Sequence, residues 1–270
     1  MSNNPSKPAH LEPSALGTKE YWDSLYDTEI ANHSVDPTDE GTIWFDDSSA
    51  EDKSIQFLED KLGEEDSLLG PGNWKEDCSF LDLGTGNGHV LFRLREGEDE
   101  DEDDREEEEN GWKGRLMGVD YSQRSVEFAK RIAEDKGVGS ESGLAKVEFV
   151  WWDLMSQDPA GVVLNGRQEH GWDVILDKGT FDAISLSEEK DGQGRRICEG
   201  YREKVEPLIR QGGLLLITSC NWTEEELKAW FLVEGSQLRF VEAIKYKSFS
   251  FGGQKGQSVS SVCFRKGELP

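Results

Sequence analysis

Paired cysteines, long apolar runs and positive charge are all scarce in this sequence of 270 residues. Its four cysteines form no C-x-x-C pair, which argues against a zinc site or disulfide framework and predicts reduced thiols: Cys78, Cys198, Cys220 and Cys263. No segment approaches the roughly 20 apolar residues that span a bilayer, and no basic stretch followed by an apolar one opens the chain. We therefore expect a cytoplasmic protein, with the nucleus as a second compartment, that holds no metal ion and enters no membrane.

Acidic residues outnumber basic ones, 56 against 30, which gives a formal net charge of −26. Such a charge disfavours non-specific binding to nucleic acid or anionic membranes but is compatible with a basic protein partner. The acidic run over residues 96–110, "EGEDEDEDDREEEEN", is expected to be a disordered surface insertion because its charges repel one another. A tether that attracts a basic substrate is the alternative interpretation.

The beginning of the chain divides into a tail and a helical region. Residues 1–15 are polar and proline-containing and are expected to form a disordered tail. The remainder, residues 16–270, is expected to form one domain with an N-terminal helical extension over residues 16–70. Helical spacing of apolar residues predicts one helix starting near Thr18 and a second that stops at Gly63.

Apolar runs and helical patterns then alternate to the end of the chain. Four runs are predicted strands: "RLMGVDYS", "KVEFVWWDL", "WDVILDKG" and "GGLLLITSC". Two segments between them are predicted helices: "SQRSVEFAKRIAEDKG" and "RRICEGYREKVEPLIRQGG". Continuously apolar strands separated by helices predict an α/β fold with a parallel sheet covered on both faces. The final runs "LRFVEAIKYKSF" and "SVSSVCFRK" predict an antiparallel hairpin.

The segment "FLDLGTGNGHVLFRL" is a predicted strand, a glycine-rich turn and a helix, the arrangement with which doubly wound sheets bind nucleotides. A dinucleotide fingerprint needs a glycine where this chain has His89. By contrast, "DLGTGNG" matches the D-x-G-x-G-x-G pattern of S-adenosylmethionine methyltransferases, with these candidate cofactor contacts: Asp82, Gly84, Thr85, Gly86 and Gly88. The pattern favours S-adenosylmethionine over NAD. An NAD-dependent oxidoreductase stays open as an alternative.

Acidic residues at two later strand ends supply candidates for the rest of the cofactor. Asp120 lies 34 residues beyond Gly86, of which 15 belong to the acidic insertion, leaving 19. That is close to the spacing of about 20 residues at which a ribose-binding carboxylate follows a glycine loop. Tyr121 is then placed to pack on the adenine, and Asp153, with its neighbour Leu154, to contact the adenine amino group. Asp120 as a simple helix cap is the alternative.

Asp177, at the end of "WDVILDKG", is the candidate catalytic residue. An attacking amine must be neutral, so a carboxylate that orients it and accepts its proton is useful at this edge. The alternatives are that Asp177 caps the following turn or pairs with Lys178.

A lysine substrate would bind between aromatic rings, which pack on its methylene stem and attract its positive charge through cation–π contact. Trp44, Phe45 and Trp222 lie in predicted loops and are therefore candidate substrate contacts, although ordinary burial is an equal alternative. Asn221 is a further candidate contact.

The segments "DEGTIWF", "GVDYSQRSVEFAK", "LDKGTFDA" and "TSCNWT", together with the glycine loop, resemble the eukaryotic methyltransferases that modify a lysine of translation elongation factor 1A. The resemblance runs from about residue 14 to the end. It implies a Rossmann-like class I sheet of order 3-2-1-4-5-7-6 with the last strand antiparallel, S-adenosylmethionine as cofactor, and a monomer acting on that protein. By this resemblance, the "DKGT" segment at Asp177 is expected to face the substrate amine. The expected cofactor-binding positions are Asp82, Gly84, Gly86, Asp120 and Asp153.

The chain departs from the family pattern at the acidic insertion and at "GVVLNGRQEHG", and neither departure touches a motif. Two other functions stay open beside the resemblance. One is methyl transfer to another protein or a small molecule, and the other is a non-catalytic binding protein on the same scaffold.

Overall fold

The computed structural model describes residues 7–63, 67–97, 111–138, 146–247, 249–251, 254–256 and 259–267. A sheet of seven strands forms the centre of this part of the chain: β1 Phe80–Leu83, β2 Leu116–Asp120, β3 Val147–Trp151, β4 Trp172–Lys178, β5 Ile209–Ser219, β6 Leu238–Ile244 and, last in chain order, β9 Ser260–Lys266. Two short strands pair beside it: β7 Phe249–Phe251 and β8 Gln254–Gly256.

The strand order is β3-β2-β1-β4-β5-β9-β6, with β1 to β5 parallel and β9 antiparallel to both of its neighbours. Counting β9 as the seventh strand, this is the expected order 3-2-1-4-5-7-6. The predicted terminal hairpin of β6 and β9 is confirmed.

Helices cover both faces of the sheet: α1 Lys19–Val35, α2 Ala50–Leu62, α3 Trp74–Asp77, α4 His89–Glu96, α5 Gln123–Asp135, α6 Thr180–Ser185, α7 Tyr201–Val205 and α8 Glu224–Phe231. Side chains of β4 alternate between the two faces, as strand geometry requires. Val174 and Leu176 join the core beneath α1, α2, α4 and α5, whereas Ile175 joins the core beneath α6, α7 and α8.

The predicted helix starts and stops follow local hydrogen bonding. Helix α1 begins after Thr18, whose hydroxyl accepts from the Tyr21 amide at 3.4 Å, and Gly63 follows the end of α2. Ser122 caps α5 in the same way, accepting from the Ser125 amide at 3.3 Å. Each cap satisfies an amide that the helix leaves unpaired.

The helix predicted over "RRICEGYREKVEPLIRQGG" is confirmed only at its centre, because α7 begins at Tyr201 after a 3₁₀ helix, Ile197–Gly200. Helix α7 ends at Val205, a short 3₁₀ turn contains Pro207, and β5 already begins at Ile209. Pro207 has no amide hydrogen to continue a helix, and Ile209 pairs with Trp172 of β4. Pairing within the sheet therefore overrides the helical spacing.

The disordered tail predicted over residues 1–15 is wrong for residues 7–15, which lie against the domain. The Lys7 ammonium is 2.7 Å from the Glu199 carboxylate and 4.6 Å from the centre of the Trp230 ring, and His10 stacks on Trp230. Residues 1–6 and the acidic insertion from residue 98 to 110 lie outside the described residues. Helix α4 includes the first insertion residue, Glu96, which is 3.4 Å from Lys136.

Within the described ranges, no helix has the length and apolar character needed to cross a bilayer. The same residues bring together no group of three or more His, Cys, Asp or Glu side chains suited to a metal ion.

Candidate active site

A cleft of about 550 Å³ opens at the carboxyl ends of β1 to β5. Residues that follow these strands line its floor and sides. We call residues 16–47, which lie across the other side of the cleft, the roof. Nine of its residues line the cleft: Leu16, Gly17, Lys19, Trp22, Tyr26, Thr42, Trp44, Phe45 and Asp47. The cleft lies where ligands of doubly wound sheets bind.

The glycine loop between β1 and α4 forms the inner wall of the cleft. Gly84 and Gly86 have φ values of +62° and +59°, which favour glycine. A Cβ at Gly84 would lie 2.2 Å from the Thr180 hydroxyl, and a Cβ at Gly86 would lie 2.9 Å from the Tyr26 hydroxyl. Glycine at these two positions therefore lets the loop pack closely against Thr180 and Tyr26, and the loop lines the cleft with backbone atoms.

Gly88 lies outside the cleft lining, unlike the other predicted contacts of the loop. A Cβ there would come within 2.6 Å of the Phe149 ring, so Gly88 permits close packing of α4 on β3. Thr85 does line the cleft, and its amide donates to the Val119 carbonyl at 3.0 Å, joining the loop to β2.

Asp120 fixes the glycine loop to the end of β2. Its carboxylate accepts from the Gly86 amide at 3.3 Å, from the Ser122 amide at 2.8 Å and from the Ser125 hydroxyl at 2.8 Å. Ser122, not Asp120, caps α5, so the cap alternative for Asp120 does not hold. Burial raises the pKa of the Asp120 carboxyl to about 6. The side chain therefore presents an oriented carboxylate to the cleft.

Asp82 is the second carboxyl group of the inner wall and is only 2% exposed. Burial raises the pKa of this carboxyl to about 7, and the positive charge of Lys178 opposes the rise. A positively charged ligand group placed here would stabilise the ionised form.

Tyr121, Asp153 and Leu154 line the cleft beyond Asp120, as expected for the adenine end of a cofactor. Asp153 is occupied by its own turn, because its carboxylate accepts from the Met155 amide at 2.9 Å and the Ser156 hydroxyl at 2.5 Å. Its contact with an adenine amino group stays a prediction.

Asp177 does not line the cleft and is 1% exposed. Its carboxylate accepts from the Thr180 amide at 2.8 Å, the Phe181 amide at 3.1 Å and the Tyr201 hydroxyl at 2.6 Å. This geometry corresponds to the turn cap that the sequence left open, and it corrects the expectation that Asp177 faces a substrate. Burial raises the pKa of this carboxyl to about 7.

Asp182, five residues further on in α6, is the carboxyl group that lines the cleft near the ends of β4 and β5. It accepts from the Cys220 amide at 2.8 Å and from the Ser219 hydroxyl. Burial raises the pKa of Asp182. Sequence reasoning missed this residue, although it is the second acidic residue of "DKGTFDA".

Trp44 and Phe45 line the cleft as predicted, and Asn221 faces it from the end of β5. Trp44 packs edge-on against Trp22 with ring centres 5.3 Å apart. The Phe45 ring lies 3.2 Å from the position that a Cβ of Gly179 would occupy. The roof aromatics therefore reach the edge of the sheet where β4 ends.

Trp222 corrects the predicted set of substrate contacts. It is 3% exposed and does not line the cleft. Its ring packs against Phe181 and Trp230, and its indole nitrogen donates to the Ser185 hydroxyl at 3.3 Å. The ordinary-burial alternative therefore describes this residue.

The roof is fastened to the cofactor side of the cleft by polar contacts. The Asn87 side chain donates to the Glu40 carbonyl at 2.8 Å, and the Ser122 hydroxyl donates to Asp23 at 2.6 Å. Sequence reasoning predicted helices here but not a wall of the site. The available signal was the pair of aromatics on α1, Trp22 and Tyr26.

Comparison with known proteins gives both a family and named relatives. Residues 74–257 match the family described as "Methyltransferase domain". "Protein-lysine N-methyltransferase EFM4" of Saccharomyces cerevisiae is 39% identical over 258 residues, which are 96% of this chain and 97% of the yeast protein. "EEF1A lysine methyltransferase 2" of Homo sapiens is 32% identical over 254 residues, 94% of this chain and 88% of the human protein.

Two solved structures show the same fold at low sequence identity. The [4+2]-cyclase SpnF has a TM-score of 0.56 at 12% identity, over 97% of this chain and 99% of that one. The N-methyltransferase NodS from Bradyrhizobium japonicum, solved with S-adenosyl-L-homocysteine, has a TM-score of 0.51 at 13% identity, over 92% of this chain and 99% of that one.

Proposed function

Since this chain belongs to the methyltransferase-domain family, among the protein-lysine N-methyltransferases, we propose that it transfers methyl groups from S-adenosylmethionine to a lysine ε-amine of translation elongation factor 1A. The observation that carries this proposal is one cleft that joins an open glycine loop and oriented carboxylates to an aromatic roof. We further propose that the protein acts as a monomer in the cytoplasm, and also in the nucleus, without binding nucleic acid or membrane.

The cleft residues fit S-adenosylmethionine. Gly84 and Gly86 line the cleft with backbone atoms alone, which lets a ligand lie directly against the loop. Asp120 would bind ribose hydroxyls, since hydrogen bonds within the domain already orient its carboxylate. Asp82 would bind the cationic amino-acid end, and Tyr121 would pack beside the adenine.

The bound donor supplies a methyl group on a positively charged sulfur, open to in-line attack by a neutral amine. A lysine has a reference pKa of about 10.4, so the site must take up its proton. Asp182 would orient the amine and accept this proton, because its carboxyl lies in the cleft where β4 and β5 end and burial raises its pKa. Asp177 would act indirectly, by fixing the first turn of the helix that carries Asp182.

Trp44 and Phe45 would hold the methylene stem of the lysine, with Asn221 on the opposite side. The net charge of −26 favours the approach of a basic protein.

The test is mass spectrometry of elongation factor 1A purified from a host that lacks the modification. After incubation with this protein and S-adenosylmethionine, we expect the mass of one or more methylene units to be added to a single lysine peptide. Asp120→Asn, which removes charge from the predicted ribose contact, is the control and should give less product because the cofactor binds more weakly.

An unmodified factor, together with confirmed cofactor binding, would contradict the proposed substrate. Methylation of another component in a cell extract would then identify another acceptor. No turnover on any component would favour a binding protein on this scaffold.

A further inference from the structure

The cleft lining is strongly acidic. Among the described residues that line it, six carry carboxyl groups: Asp47, Asp82, Asp120, Asp153, Asp182 and Glu189. The lysine and arginine side chains in the same lining are Lys19 and Lys178. The carboxylate of a ligand would therefore be repelled in most of the cleft. It can bind favourably only near one of these two lysines.

Lys19 lies at the outer end of the cleft and already forms an ion pair. Its ammonium is 2.6 Å from the Asp23 carboxylate and 6.0 Å from the centre of the Tyr121 ring. Tyr121 follows β2, where the adenosine part of the cofactor is expected. Lys19 is therefore a poor partner for the opposite end of the ligand.

Lys178 lies at the inner end and is held loosely. Its ammonium donates to the Trp44 carbonyl at 3.3 Å and lies 3.6 Å from a carboxylate oxygen of Glu51. Both distances are long for a charged hydrogen bond, which is shortest at about 2.7–2.9 Å. The ammonium can therefore take a closer anionic partner without losing a tight contact.

Glu51 supplies the counter-charge for Lys178. It lies on α2, is only 4% exposed, and its other oxygen is 2.5 Å from His89 Nδ1. Although burial raises its pKa, the His89 hydrogen bond and the charge of Lys178 hold the pKa below its ordinary value. The oxygen facing Lys178 accepts no hydrogen bond from the part of the chain that is described.

Lys178 also stands beside Asp82. Asp177 pairs with Leu83 in the sheet register, so the next residue, Lys178, faces the start of the glycine loop. The charge of Lys178 acts on the Asp82 carboxyl. A cation and an anion thus face the inner end of the cleft together, matching a ligand end that carries both an ammonium and a carboxylate.

We propose that Lys178 binds the carboxylate of the amino-acid end of S-adenosylmethionine, next to Asp82, and that Glu51 is its counter-charge when the cleft holds no ligand. This inference rests on the proposed function only in taking S-adenosylmethionine as the cofactor. It makes Lys178 a determinant of which adenosine derivatives bind.

The test is isothermal titration calorimetry with S-adenosylmethionine and decarboxylated S-adenosylmethionine, which differ in the carboxylate alone. We expect the wild-type protein to bind the first about 10- to 100-fold more tightly, as for one hydrogen bond between charged groups. Lys178→Met should abolish this preference by weakening S-adenosylmethionine binding, and Lys178→Arg should restore part of it. Lys53→Met removes the same charge from α2 outside the cleft lining and should keep the full preference.

Methylthioadenosine, which lacks the amino-acid end, serves as the folding control. If Lys178→Met fails to bind it, the comparison is made with Lys178→Gln. An unchanged preference in the folded variant, or equal weakening of both cofactors, would overturn the proposal. Failure to methylate elongation factor 1A would overturn the proposed substrate while leaving these binding ratios intact, so the two failures are distinguishable.

Discussion

Replacing Asp177 by asparagine should change how stability depends on pH. Burial raises the pKa of this carboxyl from its ordinary value of 3.8 to about 7 in the folded protein. Between those two values the folded state binds more protons than the unfolded state, so the wild-type protein loses stability as the pH rises. Asparagine cannot ionise and is spared this loss.

The size of the effect follows from linkage. Each pH unit in this window is worth about 1.4 kcal/mol for one fully shifted group, and partial ionisation near the folded pKa reduces the total from pH 5 to pH 8 to about 3 kcal/mol. At pH 5 the variant should be about 1 kcal/mol less stable than wild type, since its single amide oxygen must serve amides that now use two oxygens. By pH 8 the variant should equal or exceed the wild-type stability.

The assay is urea unfolding of both proteins at several pH values between 5 and 8, reported as the difference in free energy of unfolding. Taking the difference cancels the contributions of titrating groups that do not interact with Asp177. A difference that stays constant, or that moves in favour of wild type at high pH, would refute the burial argument. Turnover of folded Asp177→Asn should stay within about threefold of wild type, whereas a loss of about 100-fold at unchanged cofactor affinity would restore a direct catalytic role.

Other substitutions separate the parts of the site. Asp182→Asn should lower kcat for methyl transfer by about 100-fold while the affinity for S-adenosylhomocysteine stays nearly unchanged. Equal losses of kcat and of this affinity would contradict the proposed contact between Asp182 and the substrate amine. Gly86→Ala should lower the free energy of unfolding by about 1–2 kcal/mol and weaken cofactor binding, because φ at Gly86 is +59° and the new Cβ would crowd the Tyr26 hydroxyl. Adding Tyr26→Phe to this variant should recover part of the cofactor affinity. If the affinity does not recover, crowding by Tyr26 is not the cause. Trp44→Ala should raise KM for elongation factor 1A with little change in Tm, whereas Trp222→Ala should lower the free energy of unfolding by about 3–5 kcal/mol. The reverse pattern would contradict the position of Trp44 in the cleft lining and that of Trp222 in the core.

Local pattern was enough to predict the sheet and its glycine loop. Strand runs such as Leu116–Asp120 are buried along their whole length, so they contrast strongly with the amphipathic helices beside them. The loop needs glycine for backbone reasons that operate within a few residues, and Asp120 lies at the end of its own strand. These features each depend on a few neighbouring residues, so a short stretch of sequence is enough to predict them.

Contacts between distant segments could not be predicted in the same way. The roof meets the glycine loop through Tyr26 near Gly86 and through Asn87 donating to Glu40, pairs separated by about 50 residues or more. Nothing in the helical spacing of α1 indicates this partner. The N-terminal tail was missed for the same reason, because the stacking of His10 on Trp230 depends on the folded surface of α8.

Position along a strand was also insufficient to tell which acidic side chain faces the cleft. Asp177 and Asp182 both follow the same apolar run, five residues apart. The first turns towards Tyr201 and the amides that begin α6, and the second is carried by that helix to the cleft. The difference arises from the turn at Gly179, where φ is +89°, and it needs the three-dimensional path of the chain.

The sheet and its glycine loop do not by themselves set the chemistry, because a cyclase and an N-methyltransferase share this fold at low identity. Among the described residues, the cleft lining outside that framework includes the roof with Trp44 and Phe45, the segment after β4 with Asp182 and Glu189, and the turn after β5 with Asn221. Just beyond the roof, Glu51 of α2 pairs with His89 of α4 and stands beside Lys178, whose ammonium donates to the Trp44 carbonyl of the roof. The same contacts that shape the inner end of the cofactor cleft therefore also set the position of the aromatic acceptor wall, so a change at Glu51 should affect both cofactor and substrate binding.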